Sequence, residues 1–219
     1  MTFHDELTDR TAANRQDLYT IPVLQQGVQG RISLSTYIAF LTEAYHHVKH
    51  TVPLLMACGS RLSPQYEWLR EAIAEYIREE LGHQEWILND IAACGADAEA
   101  VRNGTPQLAT EVMVSYAWDT IQRGNALGFF GMVYVLEGTS VELATSAADA
   151  IAESLALPDA AFSYLRSHGS LDIEHTEFFR TLVNRISDQA DREAIIHAAG
   201  VFFTLYGNIF RSLDDTGRN

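Results

Sequence analysis

Apolar residues recur along this chain at mixed steps of three and four, the spacing that lines one face of an α-helix. Between Ser63-Pro64 and Gly95 the positions Trp68, Ile73, Ile77, Leu81, Leu88 and Ile91 keep that step. Ser63 is a capping residue, Pro64 suits the first helical position and Gly95 closes the segment, so one long helix is predicted here. Upstream, Ser33 or Ser35 starts a helix carrying Tyr37, Leu41, Ala44, Val48 and Leu55. Pro53 is expected to bend it or to end its regular part, because proline lacks the amide hydrogen. Downstream, Thr105-Pro106 opens a helix that ends near Gly124, and Asn125 caps another that runs to Leu155. Leu157-Pro158-Asp159 starts a short element, and a last helix capped within 188–191 carries Ile195, Phe202, Leu205 and Ile209. There is no sustained two-residue alternation and no β-hairpin signal. The expected fold class is all-α: a single helical domain over 1–219, with no internal repeat, low-complexity tract or linker.

Composition narrows the function classes. Apolar residues make up 47% of the chain and only five are proline, which excludes a disordered or collagen-like protein. A formal charge of -14 argues against nucleic-acid binding, since polyanions would be repelled. The two cysteines, Cys58 and Cys94, are too few for a disulfide framework or a thiolate metal site and read as buried free thiols. No apolar run is read as a membrane span, and residues 1–10 lack the basic and apolar regions of a signal peptide. A reduced, cytoplasmic protein without membrane or nucleic-acid partners is expected.

The candidate chemistry lies in histidines and carboxylates at helical spacing. His168, Asp172 and His175 stand at i, i+4 and i+7, on one helix face together with Leu171 and Phe179. The competing reading is an ordinary surface face on a helix that begins no earlier than Ser170. Glu80 and His83 form a second carboxylate–imidazole pair, flanked by Tyr76 and Trp86, with Glu79 as the alternative carboxylate. Glu137 interrupts an apolar run, Met132-Val133-Tyr134-Val135-Leu136, and a carboxylate is costly to bury there without a cation or metal. Of His46, His47 and His50, His47 lies nearest the apolar stripe and is favoured as a ligand. Tyr45 and Tyr134 are candidate catalytic phenols beside the metal. Oxygen and imidazole donors without thiolate suit iron or manganese better than zinc. No nucleophile elbow and no phosphate-binding glycine loop is present.

The order Glu80/His83, Glu137, then His168-x3-Asp172-x2-His175 resembles the haem-oxygenase-like diiron oxidases and oxygenases. That superfamily shares its fold with thiaminase II and pyrroloquinoline-quinone synthase. The resemblance spans roughly 34–209 and implies a compact bundle of about seven helices with its metal-binding core at 34–210. It also implies two iron ions, activation of dioxygen with an electron donor, a small organic substrate and a homodimer. His83, Glu137, His168, Asp172 and His175 carry over directly. Relatives place a carboxylate on the helix of His83 and often one on the first long helix, where this chain offers Glu80 and His47, with Glu43 the alternative to His47. A thiaminase-II-like hydrolase is the runner-up, but the chain has no cysteine after Cys94. A haem oxygenase would need a proximal histidine from the His46–His50 cluster and would leave the later triad without a role. A non-enzymatic metal-binding or ligand-binding protein is the remaining alternative.

Overall fold

The computed structural model describes residues 1–213, and the side chains of all of these except 168–175. Among the described residues there is no strand, and the all-α class expected from the sequence is what is observed. Three short helices lead in: α1 (Phe3–Arg10), α2 (Ala12–Tyr19) and α3 (Pro22–Val28). The remainder comprises α4 (Leu34–Val48), α5 (Thr51–Arg61), α6 (Glu67–Glu80), α7 (His83–Ala93), α8 (Ala98–Asn103), α9 (Leu108–Gln122), α10 (Phe129–Leu155), α11 (Ser163–Val183) and α12 (Gln189–Leu213).

Two of the predicted long helices are each broken once. Ser33 caps α4, its hydroxyl accepting from the Thr36 amide at 3.1 Å. Pro53 cannot donate to the Lys49 carbonyl, so α4 stops at Val48 and α5 restarts at Thr51. The helix expected from Pro64 to Gly95 is two helices, α6 and α7, because Gly82 takes a left-handed φ of 93°. A residue with a Cβ avoids that conformation and glycine does not, so the chain turns there.

Two helices take their N-terminal caps from far along the chain. Phe162, at the N-cap of α11, offers no side-chain oxygen. Asp90 of α7, fully buried, accepts instead from the Ser163 amide (3.0 Å), the Ser163 hydroxyl and the Tyr164 amide (2.9 Å). A carboxylate on two helix-start amides also suits the helix dipole. This explains why α11 begins at Ser163, seven residues ahead of Ser170, the earliest start in the competing reading. Glu43 of α4 does the same for α9, accepting from the Gln107 amide at 3.1 and 3.2 Å and from the Thr110 hydroxyl.

The core forms two apolar clusters. One gathers residues such as Leu54, Leu69, Met113, Phe130 and Phe202, and the other Leu41, Ile87, Ile91, Ala148 and Phe162. The first half of α10 belongs to one cluster and its second half to the other. Near its start α10 lies hard against α12: a Cβ on Gly131 would stand 2.5 Å from the Ala199 nitrogen. Both partners are apolar enough to correct one sequence expectation. By length and composition the segments Ala126–Leu155 and Gln189–Leu213 could each cross a membrane. In the window that passes this test, 50% and 56% of the residues are buried inside the molecule, as befits helices that fill a core.

Candidate metal centre

A cavity of about 160 Å³ opens between α3, α4, α10 and α12. Its wall is overwhelmingly apolar, and among the described residues one imidazole and two carboxylates from three helices line it: His47 from α4, Glu80 from the end of α6 and Glu137 from the middle of α10. His47 is buried, and the Tyr206 ring of α12 meets its imidazole edge-on, with centroids 6.0 Å apart. Glu80 is the last residue of α6, and the Gly82 turn folds the first residue of α7 back onto it. As a result His83 Nδ1 lies 3.0 Å from Glu80 Oε2, although the two residues are on different helices. The His83 ring is stacked on Trp86 at 4.0 Å and is buried behind Glu80 rather than lining the cavity.

This pairing has a chemical consequence. It sets an imidazole nitrogen and a carboxylate oxygen side by side at the α6–α7 turn, two donor types that iron accepts. Of the two alternatives Glu79 and Glu80, Glu79 is exposed and Glu80 lines the cavity. Glu43 is buried one turn before His47, but its oxygens are committed to the start of α9. Among the described residues no three His, Cys, Asp or Glu side chains alone form a metal cage. His168, Asp172 and His175 lie on α11, and their side chains fall outside the described residues. The donor chemistry present, carboxylate and imidazole groups on a largely apolar cavity without thiolate, fits iron.

Two predicted residues are not brought to the site. Tyr45 is two positions from His47, about 200° round the helix, so it faces away into the second core cluster against His46 and Lys49. Tyr134 accepts a hydrogen bond from Arg15 (3.1 Å), donates to Thr8 (3.3 Å) and packs on Phe179, clear of the cavity. The phenols that do line it are Tyr37, Tyr76, Tyr164 and Tyr206. Tyr206 sits in the apolar stripe of α12 with Phe202 and Phe210, and in sequence that stripe reads as core. The neighbouring imidazole of His46 meets Lys49 Nζ at 3.1 Å, and burial, with the charge of Lys49, pushes its pKa down to about 4.

The cysteines are remote from this chemistry. Cys58 and Cys94 are buried free thiols, neither lines the cavity, and burial raises them to about 12 and about 11. A thiolate nucleophile is therefore not available where a ligand would sit.

The all-helical bundle has the haem-oxygenase-like architecture, and solved structures share it closely. A domain of unknown function with a heme oxygenase-like fold from Shewanella denitrificans superposes with a TM-score of 0.86 at 22% identity, covering 100% of this chain and 94% of that one. A TenA homologue from Pseudomonas syringae gives 0.81 at 15% identity, covering 97% and 93%. The heme oxygenase from Leptospira interrogans gives 0.76 at 16% identity, covering 97% and 100%. At these identities the likeness is one of fold. Sequence supplies the family: residues 38–207 match the iron-containing redox enzymes, and the chain belongs to them. No curated protein matches it in sequence.

Proposed function

We propose that this protein is a non-haem iron oxidase or oxygenase that uses dioxygen and an external electron donor to oxidise a small organic molecule held in the cavity. The observation that carries this reading is the meeting of His47, Glu80 and Glu137, from three helices, on one apolar cavity, with His83 clamped to Glu80. These four residues, together with His168, Asp172 and His175 from the sequence pattern, form the proposed ligand set for two iron ions, with manganese the alternative metal. Bound iron would supply the one-electron chemistry with dioxygen that side chains lack.

The chain's own residues supply the rest. The Glu80 carboxylate and the Trp86 ring, both against the His83 imidazole, hold its orientation. The Tyr206 ring packs against the His47 imidazole and limits its rotation. Apolar walls such as Leu54, Met132 and Phe210 keep water from the substrate and strengthen every polar contact made inside. A homodimer is part of the same proposal, from family habit.

Iron titration and ferrous-dependent oxygen uptake test the reading. The expected result is stoichiometric iron binding that is lost in Glu137→Ala and His168→Ala while both variants remain folded. Absence of bound iron in the native protein, or a Soret band on reconstitution with haem together with unchanged iron binding in both variants, would overturn it.

A further inference from the structure

One phenol on the cavity wall shares its helix face with a proposed iron ligand. Tyr76 and Glu80 stand one turn apart on α6, at i and i+4, and both line the cavity. Tyr76 is 2% exposed, and the Phe178 ring of α11 tilts against its ring with centroids 5.4 Å apart. Phe178 lies one turn of α11 beyond His175. The phenol is thus held between the helix of Glu80 and the helix of the His168, Asp172 and His175 triad. Other phenols on the wall are placed differently. Tyr37 donates to the Ala161 carbonyl at 2.7 Å, and Tyr164 belongs with it to the second core cluster. Tyr206 stands on α12 with its ring against His47 and Phe210.

Charge balance points to the same residue type. Among the described residues the acids that line the cavity are Glu80 and Glu137, and Asp172 adds a third carboxylate from the sequence pattern. Two ferrous ions bring four positive charges, so three carboxylates leave one unbalanced in an apolar setting, where net charge is costly. A phenol that gives up its proton supplies the missing negative charge. Its oxygen is a hard anionic donor, and tyrosine also serves as an axial ligand to haem iron.

We infer that Tyr76 is an iron ligand, bound through its phenolate oxygen. This rests on the iron reading above and adds a donor to its ligand set. As the iron–oxygen bond forms, the phenol O–H bond breaks and its proton passes to water; no electron changes hands. An anionic oxygen favours ferric over ferrous iron, and charge transfer from phenolate to ferric iron colours the protein.

Protein loaded with ferrous iron and then exposed to air is read by visible absorption, resonance Raman scattering and elemental analysis. A broad visible band, with tyrosine ring modes enhanced under it, is expected in the native protein. Tyr76→Phe, which keeps the ring against Phe178, should lose the band, whereas Tyr164→Phe and Tyr206→Phe should retain it. Absorbance is referred to bound iron. Fluorotyrosine at position 76 is a poorer electron donor of nearly the same shape, and it should shift the band to shorter wavelength. That shift decides the matter if Tyr76→Phe takes up no iron. Iron-loaded native protein without the band, a band that survives Tyr76→Phe, or one that does not move with fluorotyrosine overturns the inference and leaves the oxidase reading standing. A native protein that binds no iron removes both.

Discussion

Asp90 controls the start of the helix that carries His168, Asp172 and His175, so its replacement should loosen α11 at its first turn. Asp90→Ala removes the acceptor for the Ser163 amide, the Ser163 hydroxyl and the Tyr164 amide, the last of these buried. Loss of a helix cap costs about 1 kcal/mol, and a buried amide left without a partner about 1–3 kcal/mol more. Part of this is offset, because burial has already raised the Asp90 pKa: holding the carboxylate ionised there is itself unfavourable. A net loss of about 2–3 kcal/mol follows. With a urea slope of about 2 kcal/mol/M, the unfolding midpoint should fall by about 1–1.5 M. Asp90→Asn keeps one acceptor oxygen, removes the buried charge and should cost about 1 kcal/mol or less. The sign with pH follows from the raised pKa. A carboxyl whose folded value lies above its unfolded value contributes stability that is fully present below the unfolded value and is lost as pH rises through the folded one. The native protein should therefore compare best with Asp90→Asn in acid and lose ground as pH rises from about 4, levelling off above the raised pKa. An Asp90→Ala protein within about 0.5 kcal/mol of native, or an Asn variant as damaged as the Ala variant, would refute this account of α11.

Three further outcomes are expected. Glu43→Gln should retain full iron content by elemental analysis while losing about 1 kcal/mol in urea unfolding, because Glu43 serves α9; loss of iron would make it a ligand instead. Gly82→Ala should lower the melting temperature by about 2–4 °C, the shift for about 1 kcal/mol in a chain of this size. That loss comes from the left-handed φ alone, since a Cβ there meets nothing within 4 Å, and an unchanged melting temperature would contradict it. Neither Cys58 nor Cys94, raised to about 12 and about 11, should react with a thiol reagent at pH near 8 until urea is added; fast labelling of the folded protein would count against their burial.

The helical period and the Pro and Gly punctuation made most of the long helices legible in the sequence. Periodicity reports which residues share a face, and it passes over a backbone break such as Gly82 unless that break disturbs the apolar step. The two borrowed caps could not be read, because Asp90 acts on residues 73 and 74 positions away and Glu43 on residues 64 and 67 away. Local capping rules look only a few residues along the chain. Glu137 stood out as a carboxylate in an apolar run and Glu80 as the partner of His83, and both line the cavity. Tyr45 and Tyr134 stand close in sequence to His47 and Glu137. On a helix, neighbours in sequence point in different directions, and phenols from other helices line the cavity instead. The α11 triad was legible only as a spacing, and its side chains lie outside the described residues.

The contact of Gly131 with α12 bears on how such a protein can diversify. At that point the two backbones leave no room for a methyl group, since the Ala199 nitrogen and the Ile195 oxygen would lie 2.5 and 2.8 Å from it. The register of α10 against α12 is thereby locked six residues before Glu137, and the carboxylate cannot drift along the axis without parting the core. Gly27, which also lines the cavity, carries no such constraint, since a Cβ built there meets nothing within 4 Å. Side-chain volume at Gly27 can thus change without disturbing the register that places Glu137.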